Sequence, residues 1–183
     1  MDILEKVRKF ATRKRALISF VVLLVSFIAL NVALSKVATH FGFDTSKLLD
    51  FKIGYSPAYV HQLLEDLGTE SRHAYSLLTI PDFLLGIFYW AFLTLSIGSL
   101  LNVVVPIRSI FNIALLFPII AMLSDYTENI MSLLATANFP NESPVFAYIG
   151  NVGTILKWSF ITLSFISIIV FLTIVAVKAI RNR

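Results

Sequence analysis

Residues 124–130, SDYTENI, place two carboxylates and an amide directly after the apolar run IFNIALLFPIIAML. Asp125, Glu128 and Asn129 are spaced i, i+3, i+4, so on a helix all three share one face. Two more ionisable residues stand where apolar segments open, Asp82 in IPDFLL and Lys157 in TILKW. Arg72 and Tyr75 precede Asp82 by ten and seven residues, and one continuous helix would align the three. Groups of these types hold each other in ion pairs, grip the polar head of a ligand, or exchange protons. A charge in hydrocarbon costs at least about 2.5–3.5 kcal/mol, so it normally faces other protein and finds a partner. The expectation is a polar cluster of Asp82, Asp125, Glu128, Asn129 and Lys157, with Arg72 and Tyr75 beside it.

Each residue also has a plainer account. Asp82 follows Thr79 by three residues, which fits a helix cap. Glu128 fits a position at the water interface. Lys157 fits a side chain that snorkels to headgroups. Asp125 lies deepest, and a buried, partnered role suits it best, even if the pairing only sets helix register.

The elements that must carry these residues follow from composition. The chain has 183 residues, 57% hydrophobic and 14% charged, against roughly 45–50% and 25% in soluble domains. That balance indicates an all-α polytopic membrane protein, because inside lipid each backbone polar group must pair within its own segment. Four apolar stretches reach the roughly 20 residues a span needs. They cover about 16–35, 80–101, 109–132 and 154–177. A four-transmembrane-helix bundle in a single domain over residues 1–183 is expected. The first stretch follows a basic segment as a secretory signal would, but its apolar run of about twenty residues exceeds the usual 7–15, so it is read as a span.

Charge orients the spans. Lys6, Arg8, Lys9, Arg13, Lys14 and Arg15 crowd the N-terminus, Lys178, Arg181 and Arg183 the C-terminus, and Arg108 the short second connection. The segment 36–79 carries four basic and five acidic residues. The positive-inside rule then puts both termini in the cytoplasm.

Within 36–79, Ser56-Pro57 reads as an N-cap and first helical position. AYVHQLLEDL brings Tyr59, Leu63, Leu64 and Leu67 to helical spacing, and Gly68 offers a stop. A short amphipathic helix over 57–67 on the outer side is expected. Tyr55, Tyr59, Tyr75, Tyr148 and Trp158 are placed for an aromatic belt. Pro118 is expected to kink the third span. Asn31 and Asn112 are expected to hydrogen-bond between helices. Asn141-Glu142-Ser143 forms a glycosylation acceptor pattern, weakened by Pro144 after it.

Several chemistries find no support. There is no cysteine, so thiolate metal sites and thiol redox chemistry are excluded. His40, His61 and His73 are not spaced as a helical ligand pair, so neither a metal nor another cofactor is expected. No nucleophile elbow, phosphate loop or dinucleotide fingerprint is present, and no catalytic residue is assigned. The basic ends flank apolar segments, which points to membrane lipids as partners and away from nucleic acid.

The elements GYS at 54–56, LG followed by Arg72 and Tyr75, Asp82, DYTEN at 125–129 and LKW at 156–158 keep a recognisable order. Over residues 54–160 the chain resembles a family of short uncharacterised four-span membrane proteins with D-Y-x-E-N and L-K-W elements. The resemblance implies a four-span fold and no particular activity. The leading expectation is a non-enzymatic accessory subunit, joined to a protein partner or a second copy of the chain, or a bundle that binds a lipid or small molecule. The alternatives are a proton- or ion-coupled carrier using Asp125 and Glu128, and an intramembrane hydrolase or transferase using Asp82 and Asp125.

Overall fold

The computed structural model describes residues 3–142 and 144–181. The chain is 89% helical, and no strand occurs among the described residues. Helix α1 spans Ile3–Phe10, α2 Arg13–Phe41, α3 Pro57–Val104, α4 Phe117–Asn138 and α5 Pro144–Arg181. Short 3-10 turns occupy Thr45–Lys47, Leu49–Phe51 and Ile110–Leu116. Among the described residues, four segments are long and apolar enough to cross a membrane: α2, α3, Ile110–Asn138 and α5. The protein is an all-α polytopic bundle.

The most apolar window of α2 is wholly unburied, whereas α3 and Ile110–Asn138 each bury 39% of theirs. An apolar surface of that kind is what lipid or another apolar partner must cover.

Helix α3 is two helices in series. Gly68 breaks it with φ +71° and ψ 170°, a conformation open essentially to glycine. The piece before the break starts where Ser56 Oγ accepts from the Tyr59 amide at 3.2 Å, an N-cap. It is amphipathic and buries Val60, Leu63, Leu64 and Leu67, while Tyr59 is half-buried.

Pro118 does not kink a long helix. Residues 110–116 form a 3-10 turn, and α4 begins at Phe117. Pro118 therefore sits in a first turn, where its missing N–H has no intrahelical partner to lose.

The chain gathers into two compact units. The first draws on Met1–Leu24, Ile87–Met122 and Trp158–Arg183, the second on Val25–Gly86 and Leu123–Lys157. The first unit packs Ile97, Leu101, Ala114, Leu115 and Phe171. Arg8 lies among them only 1% exposed. Its guanidinium donates to the carbonyls of Leu101, Val105, Pro106 and Ile107 and to the side-chain oxygens of Asn102 and Asn112. Asn102 donates back to the carbonyls of Arg8 and Ala11 at 2.9 and 3.1 Å. Leu101 is the one backbone acceptor within α3, and Val105, Pro106 and Ile107 lie just past its end, so Arg8 gathers the carbonyls of the turn that follows the helix. All these acceptors are neutral, and burial lowers the Arg8 pKa from its ordinary value.

The second unit packs Leu48, Leu49, Tyr55, Leu63, Tyr75 and Ala135. Tyr55 and Tyr75 are therefore core residues and do not stand in an aromatic belt, whereas Tyr148 and Trp158 are exposed. Asn112 bonds Arg8 of α1 at 3.0 Å. Asn31 instead donates to Phe27 of its own helix and stays exposed, so it joins no second helix among the described residues. Ser143 of the glycosylation pattern lies outside the described residues.

Candidate functional site: a buried charge cluster

The second unit holds the polar residues that attract attention in the sequence. Asp125, Glu128 and Asn129 lie on one face of α4 and are 3%, 1% and 3% exposed. Lys157 of α5 reaches them. Its Nζ lies 2.9 Å from Asp125 Oδ1 and 2.5 Å from Glu128 Oε2. A third carboxylate, Asp50 Oδ1, stands 3.8 Å away. Burying an ion costs several kcal/mol before pairing, so close partners are what make this placement tolerable.

Two glycines let the helices approach. A Cβ on Gly153 would lie 2.9 Å from Ser124 O and 3.0 Å from Glu128 N, both backbone atoms of α4. A Cβ on Gly86 of α3 would lie 2.9 Å from Tyr126 Cε1 and 3.1 Å from Asp125 Oδ2. Tyr126 also donates its hydroxyl to the Phe83 carbonyl at 2.9 Å, tying α4 to α3.

Around this core run further hydrogen bonds. Asn129 Nδ2 donates to Asp82 Oδ2 at 2.8 Å. Tyr75 donates to Asp50 Oδ2 at 3.3 Å, and Ser132 donates to the Tyr75 oxygen at 3.4 Å. Asn151 Oδ1 accepts from the backbone N–H groups of Gly54 and Tyr55 at 3.1 and 3.2 Å. This holds the Tyr55 ring against α5, where Thr154 Oγ1 lies 3.4 Å from its hydroxyl. Burial pushes the Tyr55 phenol up to about 12.

Six of the seven residues singled out in the sequence thus sit in or beside one network. Arg72 does not. Its guanidinium turns back to the Leu64 carbonyl at 2.6 Å and lies over the Phe139 ring, 4.3 Å from the centroid. The physical reason is the break at Gly68, which leaves carbonyls at the end of the preceding helix without intrahelical partners. Asp50 and Tyr55 join the network unforeseen. One signal marked Asp50: it is an acid inside the apolar run LLDF.

Asp50, Asp82, Asp125 and Glu128 are four carboxyl groups around one ammonium. Glu128 Oε2 holds the ion pair with Lys157, and the Thr154 side chain stands beside the carboxylate. No group of three or more His, Asp or Glu among the described residues is placed to hold a metal ion.

Beside the cluster lies a cavity of about 80 Å³. Asp50, Asp82, Asn129 and Tyr75 form its polar side. Leu30, Leu34, Phe51 and Leu78 form the other. A larger cavity of about 390 Å³ lies among His61, Leu64, Phe139, Glu142 and Tyr148, and no residue of the charge cluster lines it. The smaller one is the chemically specific site, because polar groups converge on it from three segments.

Compared with known proteins, the chain matches no family profile, no curated protein and no solved structure.

Proposed function

We propose that this is a non-enzymatic, multi-pass membrane protein that binds a lipid or other small amphiphile, with the polar head seated beside Asp50 and Asp82. One observation carries the reading: the 80 Å³ cavity has a carboxylate-rich side and a leucine-rich side. An amphiphile is the molecule that satisfies both. The head would meet donors and acceptors already oriented by Asn129 and Tyr75, and the chain would leave over Leu34 and Leu78. Both termini are assigned to the cytoplasm, on the strength of the basic residues at each end. The chain has no cysteine, so Lys6→Cys and Ser46→Cys, labelled with an impermeant maleimide, test that orientation directly. Ser46 is expected to react from outside and Lys6 only after permeabilisation.

Native mass spectrometry from mild detergent tests the binding reading. A retained mass of lipid size supports it. Retention of a second protein and no lipid supports the accessory-subunit reading instead.

A proton- or ion-coupled carrier is the second reading, favoured by the four carboxyl groups around one ammonium. It requires flux in reconstituted vesicles that Asp125→Asn or Glu128→Gln abolishes.

A further inference from the structure

The first unit carries a surface of a different kind. Helix α1 is pinned to the bundle along one side. Leu4 and Val7 pack on the core of the unit, and Arg8 and Ala11 are 1% and 2% exposed. A Cβ on Gly98 of α3 would lie 2.6 Å from Ala11 Cβ. The other side is open. Ile3, Lys6 and Phe10, spaced i, i+3, i+7 on one face, are all exposed, Ile3 by 71% and Phe10 by 58%. Arg13, Lys14 and Arg15 follow, exposed, in the first turn of α2. Arg15 is held there: it donates to the Phe10 carbonyl at 2.6 Å, and its guanidinium lies 3.8 Å from the Phe10 ring centroid.

We propose that this face docks on the headgroups of anionic phospholipids. Charge complementarity carries the proposal. Among the described residues of the unit Glu5 is the one acid, and Arg108 holds it at 3.4 Å. Lys6, Arg13, Lys14 and Arg15 have no carboxylate within ion-pair distance among the described residues. Lys178 joins the same end, donating to the Val104 carbonyl at 2.9 Å beside the Val105 carbonyl that Arg8 binds. A net-negative layer balances such an excess. Placement supplies the layer. The three cations open the helix whose apolar window is wholly unburied, and where that helix enters lipid its first turn stands among headgroups.

Ile3 and Phe10 discriminate between polyanions. A lipid surface covers them just below the phosphates, as it does for an amphipathic helix lying in the interface, whereas a nucleic acid or a free phosphate leaves them in water. Zwitterionic headgroups bring their own cation and compete poorly. The forked guanidinium of Arg13 suits a phosphate diester, whose two free oxygens accept in parallel.

The test is lipid binding to the delipidated full chain, read by native mass spectrometry. Phosphatidylglycerol and phosphatidylcholine of equal acyl chains are the probes. The wild type is expected to bind the anionic lipid roughly tenfold tighter at low salt, a preference that shrinks severalfold at about 0.5 M salt. Lys6→Gln/Arg13→Gln/Lys14→Gln is expected to reduce it to about threefold or less. A charge-matched control, Lys36→Gln/Lys47→Gln/Lys52→Gln, removes three basic residues of the second unit and is expected to keep it.

Equal affinity of the wild type for the two lipids would overturn the proposal. So would an unchanged preference in the first triple, or an equal loss in both triples, which would assign the effect to net charge and not to this face. Displacement of the lipid by an equal concentration of inorganic phosphate would assign the site to a free anion and likewise overturn it. Should the first triple unfold, Lys14→Glu replaces it: a preference cut about threefold supports the docking surface, and an unaltered one defeats it.

Discussion

The Lys157 ammonium lies 2.5 Å from Glu128 Oε2 and joins α5 to α4 where both side chains are almost wholly out of solvent. Asp125 completes the contact at 2.9 Å. The arrangement combines charges that depend on one another, and the first prediction follows from that dependence.

Lys157→Met and Asp125→Asn are each expected to destabilise the protein, Lys157→Met by about 3–5 kcal/mol because it leaves two buried carboxylates without their cation. The double variant should cost less than the sum of the two. Unfolding in mixed detergent micelles measures all three. Strict additivity would mean that the pair does not interact.

Gly153→Ala should be more harmful than Gly86→Ala. The new methyl at 153 meets main-chain atoms of Ser124 and Glu128, which cannot step aside, whereas at 86 it meets the Tyr126 and Asp125 side chains. The expected loss at Gly153 is about 1–3 kcal/mol, that of an overpacked interface. Thermal unfolding ranks the two, and the reverse order would contradict the close approach of α4 and α5.

Arg8→Met should loosen the first unit by roughly 3 kcal/mol, since it strips one buried and three partly buried carbonyls of a charged donor. Arg8→Lys should recover only part of this, because an ammonium has three donors and no planar fork. Limited proteolysis of the N-terminal segment gives the readout: cleavage before Arg13 should speed up in Arg8→Met and change little in Lys6→Met.

Alkaline titration addresses Tyr55. Its folded pKa is raised to about 12 from the ordinary 10.0 by burial. The neutral phenol is thus favoured in the folded state. Its stabilising contribution is complete below pH 10 and is lost as pH rises from 10 through 12. Tyr55→Phe should remove that alkaline loss. Tyrosinate absorbance in the wild type should show one late-ionising residue missing from the variant, and an unchanged titration would place the ring in solvent.

The spans were legible because apolar runs of the required length leave few other folds in lipid. The α4 residues of the cluster were legible because Asp125, Glu128 and Asn129 repeat at helical spacing beyond an apolar run. Lys157 followed from the same reasoning about depth. Asp50 was not legible from periodicity, since it reaches Lys157 from a 3-10 turn, where spacing in sequence carries little information on facing. Arg72 was misplaced because alignment along a helix says nothing of carbonyls freed at Gly68, and those acceptors are nearer than the cluster. Arg8 was read only as one of several basic residues on the cytoplasmic side. No local pattern announces that its partners lie some hundred residues away.

That separation has a consequence for biogenesis. Arg8 is synthesised before every one of its acceptors, which extend to Asn112. Until that asparagine emerges, α1 has no completed socket, and its guanidinium must stay hydrated or rest among lipid phosphates. Closure of the Arg8 socket is therefore a late step of assembly, and a truncation before Leu101 removes every one of its acceptors.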